Sequence, residues 1–262
     1  MFLELTRREL IVGVVAAATP QIPPQTFVLV HGAWHGGWCW KEVADGLTKL
    51  GHDVRAPTLT GLSERAKELS ASVNLSTHIA DVVAAAGDAS RLVLVGHSYG
   101  GLVISGAVPA LSGRIEHLVY LDAFLPEPGQ TGFDLMKKEY GQRWRERAKG
   151  GPGVPPMLSA KAMGVLDEKQ AKAVDAKLTP HPIATFEEKV QFDLAQWKAL
   201  RKHSIRAAKY SGFGPTAARA KTLGLSVSEI DCGHDVMLAA PNELVNSLRD
   251  IAAQAVPKAD QP

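Results

Sequence analysis

Residues 91–111 carry the pattern that most restricts how this chain folds. Residues 91–95 form an almost wholly apolar run of strand length, and residues 102–111 read as a helix. Between them lies Gly96-His97-Ser98-Tyr99-Gly100-Gly101. An unbroken apolar strand is the kind buried on both faces inside a parallel sheet. Turning it directly into a helix leaves the residue at the apex in strained backbone geometry. Side chains two positions to either side would collide there, which accounts for Gly96 and Gly100. The turn lifts the Ser98 hydroxyl clear of the sheet and sets it at a helix N-terminus. There the dipole and the free N–H groups favour developing negative charge. Five residues alone would fit an ordinary glycine-rich turn; the flanking strand and helix select Ser98 as a candidate nucleophile.

The pattern around this turn is repetitive. Strands are expected at 26–30, 52–56, 115–121, 204–210 and 225–230. Helices are expected at 40–50, at 75–86 with Ser76 as its cap, at 102–111 and at 242–255. Strand–helix alternation of this kind predicts an α/β fold, a mostly parallel central sheet with helices on both faces. Residues from about 126 to 205 break the rhythm with three amphipathic stretches, 133–149, 159–178 and 185–203. The expected organisation is a core of 23–125 and 204–262 with a helical cap, 126–203, inserted into it. The chain of 262 residues is long enough for one well-buried core. With 45% apolar and 21% charged residues and a formal charge of +2, its composition is that of a globular protein and gives no reason to expect nucleic acid. The basic runs at 137–149 and 198–209 read as solvated helix faces. No apolar run reaches the length of a membrane span.

A serine nucleophile needs a base, an orienting acid and donors for the oxyanion. Of the nine histidines, His234 lies in Asp231-Cys232-Gly233-His234-Asp235, directly after the last expected strand. A loop histidine near the C-terminus is the expected base when the serine comes first in the chain. His97 is the rival, but neighbouring residues on a sharp turn point in different directions. One oxyanion donor is expected from the Tyr99 N–H, the residue after the nucleophile. The other is expected from the loop His31-Gly32-Ala33-Trp34 after the first strand, with Ala33 as the donor. The acid usually follows the strand before the last, yet Ser211-Gly212-Phe213-Gly214-Pro215-Thr216 holds no carboxylate. Asp122, at the end of the strand after the nucleophile, is the expected substitute; its alternative role is a helix cap or loop anchor. Asp231 and Asp235 lie too close to His234 in sequence to orient it. Trp34, His97, Phe124 and Trp197 are the candidate substrate contacts. Leu135, Met136, Met157 and Met163 fit either a pocket lining or the core of the cap.

These residues resemble a known family. Phe27-Val28-Leu29-Val30-His31-Gly32-Ala33-Trp34-His35-Gly36-Gly37-Trp38-Cys39-Trp40 looks like the opening of the plant methylesterase and hydroxynitrile lyase family and its bacterial esterase relatives, within the α/β-hydrolase superfamily. Leu94–Gly101 and Gly233-His234-Asp235-Val236-Met237-Leu238, with Pro241 beyond, fit as well. The resemblance covers most of 26–125 and 226–250, and the cap little. It implies a cofactor-free α/β-hydrolase with Ser98 and His234 in the triad and Ala33 and Tyr99 as oxyanion donors. Two departures stand out. The plant enzymes place their acid after the strand before the last, where this chain has 210–215. The segment Tyr120-Leu121-Asp122-Ala123-Phe124 instead resembles hydrolases that take the acid one strand earlier. The lyases also need a threonine early in the first loop and a lysine just after the histidine. Gly32 and Asp235-Val236 stand there, which argues against cyanohydrin cleavage.

The expected function is hydrolysis of a carboxylic ester, or a related acyl bond, of a small or medium apolar substrate through an acyl-enzyme. The alternatives are lactone or C–C bond hydrolysis or cofactor-free oxygenation on the same triad, or a ligand-binding homologue with weak catalysis. Haloalkane and epoxide chemistry is disfavoured because those relatives use an aspartate where Ser98 stands. The expected partner is a small-molecule ester, with no nucleic acid, no metal or other cofactor and no membrane span, and the protein is expected as a monomer or homodimer. Cys39 and Cys232 read as buried free thiols. Thr6-Arg7-Arg8-Glu9-Leu10-Ile11, an apolar stretch at 10–18 and Ala16-Ala17-Ala18 resemble a twin-arginine export signal with a cleavage site. Glu4 and Glu9 dilute it and the apolar stretch is short; the other reading of residues 1–22 is a frayed tail or a misassigned start, with the protein cytoplasmic.

Overall fold

The computed structural model describes residues 23–254. The export-signal reading falls on residues outside that range. The chain opens with strand β1 (Thr26–Val30), helix α1 (Lys41–Lys49), strand β2 (Asp53–Arg55) and helix α2 (Leu75–Ala86). Strand β3 (Leu92–His97), helix α3 (Gly100–Leu111) and strand β4 (Ile115–Leu121) follow. Next come helix α4 (Lys138–Arg147), the short strand β5 (Gly153–Val154), helix α5 (Glu168–Asp175), the short strand β6 (His181–Pro182) and helices α6 (Ala184–Glu187) and α7 (Leu194–Ala199). Strand β7 (Arg201–Ala207), helix α8 (Gly214–Thr222), strand β8 (Ser226–Ile230) and helices α9 (Val236–Ala239) and α10 (Pro241–Ala252) complete the described chain.

Six strands form one wholly parallel sheet in the order β2-β1-β3-β4-β7-β8. Because successive side chains point to opposite faces, each strand feeds two apolar layers. Val28, Val30, Leu92, Leu94, Leu118 and Tyr120 pack with α2 and α3 on one face. Phe27, Leu29, Val93, Val95, Val119 and Leu121 pack with α1 and α10 on the other. Every residue of β3 is buried, as its apolar run requires. The strand order doubles back at β1 and β3, so the loops leaving the carboxyl ends of β1 and β3 diverge around a crevice. Ligands bind at such a switch point in open parallel sheets.

Several local expectations need correction. Helix α2 is capped by Asn74, not Ser76. Asn74 has the extended backbone a cap needs, its side-chain oxygen accepts from the Thr77 N–H at 3.0 Å, and Thr77 Oγ1 accepts from the Asn74 N–H. Ser76 lies in the first turn and bonds Glu188. The third amphipathic stretch does not run as one helix to residue 203: α7 stops at Ala199 and β7 starts at Arg201, so the inserted segment ends earlier than expected. β4 offers an open ladder there, and His117 to Leu121 pair with Arg201 to Ile205. Most of the second basic run, 201–207, is consequently strand rather than a helix face. The Lys202 stem is buried while its ammonium donates to the carbonyls of Lys198 and Leu200. Of the 159–178 stretch only α5 is α-helical, capped by Asp167. Within the insertion β5 and β6 form an antiparallel pair. Both cysteines are free and buried.

Candidate active site

The turn between β3 and α3 has the strain its sequence implies. Ser98 has φ 53°, a conformation that L-residues rarely adopt. A Cβ on Gly96 would lie 2.6 Å from the Gly100 carbonyl oxygen, and one on Gly100 would lie 2.7 Å from that of Val30. Only glycine lets the three segments approach so closely. The Ser98 carbonyl accepts from the amides of Gly101 and Phe124, and the Ser98 N–H donates to Leu121. The nucleophile turn is thereby tied to the loop after β4.

That loop carries Asp122, itself at φ 40° and buried. Its amide donates to Ile205 at 2.7 Å, and its Oδ1 accepts from the Ala207 N–H at 3.3 Å. Its Oδ2 accepts from His234 Nδ1–H at 2.7 Å. A charge-assisted bond of that length fixes both the ring's orientation and its tautomer, leaving Nε2 as an acceptor. Asp122 thus stands where an orienting acid must, although one strand separates it from the usual position. The segment after β7 contributes aromatic rings instead. Phe213 stacks on His234 at 5.3 Å and 9°, and Tyr210 at 4.6 Å and 28°. His97 packs on the same imidazole at 4.6 Å, and its Nε2–H donates to the His234 carbonyl. His97 is buried and held neutral, because burial and the neighbouring His234 push its pKa far down.

Trp34, on the loop after β1, has φ 67°. A Cβ on Gly32 would lie 2.9 Å from Ser98 Cβ, so the loop lies directly against the nucleophile. The Tyr99 amide is at the N-cap of α3, where a helix leaves its first N–H groups without internal partners. Tyr99 is anchored through its hydroxyl, which donates to His78 Nδ1 at 3.0 Å while His78 Nε2–H donates to Thr60. Ala33, Trp34, His97, Ser98, Phe124 and His234 all face one cavity of 380 Å³. Leu135, Met136, Tyr140, Trp144, Met163 and Phe186 from the inserted segment supply much of the remaining wall. Trp197 does not reach it. Its indole N–H donates to the Tyr120 hydroxyl at 2.8 Å, and its ring is buried under α7 with Phe192. An amphipathic helix this short has one apolar anchor, and here that anchor packs toward the sheet. Met157 is likewise absent from the cavity wall and packs against the core.

Two residues of the site went unrecognised in the sequence. His35 and Asp235 both face the cavity and are buried, with His35 Nε2 3.3 Å from Asp235 Oδ2. His35 Nδ1–H donates to the Ala33 carbonyl at 2.8 Å. Burial opposes charge on both groups, yet each favours the charged form of the other: the His35 pKa is raised and that of Asp235 lowered. The His35 in the first-loop motif was the one available signal. Among the described residues no group of three or more histidine, cysteine or acidic side chains is arranged to hold a metal ion. No helix among them is long and apolar enough to cross a membrane.

A parallel sheet with a serine turn after a central strand, and a histidine–carboxylate pair on its neighbouring loops, defines the α/β-hydrolase class. Residues 27–248 match the model described as the alpha/beta hydrolase family, and the chain belongs to that family. It is 37% identical over 239 residues to a carbendazim hydrolyzing esterase of a Nocardioides species, across 85% of this chain and 97% of that protein. It is 25% identical over 248 residues to methylesterase 7 of Arabidopsis thaliana, across 86% and 95% of the two chains. Among solved structures it resembles an extracellular alpha/beta-hydrolase from a Paenibacillus species. That structure has a TM-score of 0.76 and 26% identity, and the match covers 87% of this chain and 99% of that one.

Proposed function

We propose that Ser98, His234 and Asp122 form the catalytic triad of a carboxylesterase and that Ala33 and Tyr99 donate to the oxyanion. The observation that carries this reading is the 2.7 Å bond from His234 Nδ1 to Asp122 Oδ2, on a ring that shares its cavity with Ser98. His234 Nε2 takes the proton of Ser98 Oγ as the oxygen attacks the ester carbonyl carbon. The tetrahedral oxyanion accepts from the Ala33 and Tyr99 amides. Its collapse breaks the bond to the alcohol, which leaves with the proton from His234. A water deprotonated by His234 then releases the acid from the acyl-enzyme.

The cavity supports a small or medium apolar substrate, and its rings favour one that carries an aromatic group. Phe124, Trp144, Phe186 and Phe213 present ring faces and edges, and Phe186 packs on Trp144 at 4.4 Å. Aromatic pairs add about 0.5–1.5 kcal/mol beyond area burial. The Nocardioides relative is named for hydrolysing carbendazim, which supports extending a small aromatic substrate to this chain.

The test is turnover of a p-nitrophenyl ester series, from acetate to decanoate and including benzoate, with Ser98→Ala as the paired control. Turnover that is lost in Ser98→Ala, with benzoate among the better substrates, is the expected outcome. Turnover that survives the substitution would remove Ser98 from the mechanism.

A further inference from the structure

We infer that the buried His35–Asp235 pair is a positioning device: it holds the loop that carries the Ala33 oxyanion donor in register with the loop that carries His234. The inference rests on the ester-hydrolase reading above. The two loops leave different strands, β1 and β8, and no strand ladder joins those strands to each other. Their relative placement must nonetheless be set to within a fraction of an ångström for the oxyanion to meet its donor while the base meets the serine.

The pair spans that gap atom by atom. His35 Nδ1–H donates to the Ala33 carbonyl at 2.8 Å, which fixes the peptide unit following the donor residue. Its Nε2 lies 3.3 Å from Oδ2 of Asp235, the residue next to His234. The Asp235 amide donates to Met163 of the inserted segment at 2.8 Å. Neither Asp235 carboxylate oxygen has a hydrogen-bond partner among the described residues, so the ion-pair contact with His35 at 3.3 Å is what answers its charge. Both side chains are essentially without solvent exposure.

Stability does not explain such a pair. Replacing a buried ion pair with well-packed apolar residues is often neutral or stabilising. Its placement does explain it. An unanswered carboxylate beside His234 would add negative charge to the cavity in which the oxyanion develops. His35 on the oxyanion loop, 3.3 Å away, is placed to offset that charge, and the same contact sets the loop spacing. Neither residue touches the reacting atoms, so both are positioning residues.

The experiment compares wild type, Asp235→Asn, His35→Gln and the double variant His35→Leu/Asp235→Ala, whose combined side-chain volume is close to that of the native pair. Each is assayed for p-nitrophenyl ester turnover and for the rate at which a fluorophosphonate labels Ser98. Thermal melting reports folding. The double variant leaves no buried charge unpaired and is expected to melt within a few degrees of wild type. Its kcat and its labelling rate are expected to fall about tenfold or more with KM within about threefold, the signature of lost alignment rather than lost binding. The single variants are expected to fall as far as the double, because the residues act as a unit. A folded double variant whose kcat and labelling rate stay within about twofold of wild type overturns the inference. Wild type that labels but turns over no ester would count against the ester reading alone, since the labelling rates still test the pair.

Discussion

Trp34, Ser98 and Asp122 adopt φ of 67°, 53° and 40°, and they are three of the five non-glycine residues with positive φ among those described. Each such conformation costs about 1–3 kcal/mol and persists only where its surroundings impose it. Here the Ser98 carbonyl is held by two amides and the Asp122 amide by Ile205. Strain thus collects on Trp34 of the loop after β1, on Ser98 and on Asp122. Asp122→Asn isolates the role of the acid. Asparagine tolerates positive φ and still accepts from the Ala207 amide, but it no longer holds His234 in the productive tautomer. We expect kcat to fall by about 10³–10⁴, with a melting temperature close to wild type. Steady-state kinetics alongside a circular-dichroism melt checks this, and near-normal kcat would remove Asp122 from the triad. That Asp122 would pair with His234 was legible in the sequence by elimination, because 211–215 hold no carboxylate. His35 and Asp235 were not: Asp235 was set aside for its nearness to His234, and its true partner lies two hundred residues away in the chain.

At the scale of elements, the nucleophile turn and the loop after β4 form one unit. A Cβ on Gly101 would lie 2.1 Å from the Phe124 carbonyl oxygen, so α3 can reach the loop of Asp122 only through glycine. Gly101→Ala is expected to destabilise the protein by about 1–3 kcal/mol or more and to lower activity in whatever fraction folds. Chemical denaturation with active-site titration measures both, and an unchanged midpoint would show that the loop gives way freely. The loop after β7 has a different task. Having no acid, it lays Tyr210 and Phe213 on the His234 ring. Phe213→Ala removes a stacking face and opens the ring to water; a lower kcat with an intact fold is the expected outcome, read by the same assays, and unchanged kinetics would make the stacking incidental. The β7 segment was also where periodicity misled. Its polar residues His203 and Ser204 are buried, and no alternation of apolar and polar side chains marks a strand that pairs on both sides.

Across the whole molecule, burial holds several histidines neutral. The pKa of His31 is lowered to about 3, and those of His78, His117 and His203 to about 4, in each case chiefly by desolvation. Unfolded, these rings take up protons near pH 6.5. Between that pH and about 4 the unfolded chain therefore binds more protons than the folded one, and stability is lost as the pH falls. His35 acts in the opposite sense. Its folded pKa is raised, so its contribution is fully present below pH 6.5 and fades as the pH climbs through the folded value. His52, His97 and His181 are lowered too, so seven depressed histidines outnumber the one raised, and the melting temperature is expected to be lower at pH 5 than at pH 7. A melt series across that interval, in buffers of equal ionic strength, decides it. A higher melting temperature at pH 5 would mean that these rings are not buried neutral.

The serine turn, the alternation of strands and helices and the histidine after the last strand were determined by the sequence alone, because each depends on residues close together in the chain. A strained turn demands its own glycines, and a buried parallel strand demands its own apolar run. The tertiary structure decided which carboxylate meets His234, that Trp197 turns toward Tyr120 rather than the cavity, and that His35 and Asp235 share a charge. Those outcomes depend on distances between segments far apart in sequence. Such distances are set by how two apolar layers close on a twisted sheet, and no local pattern of residues records them.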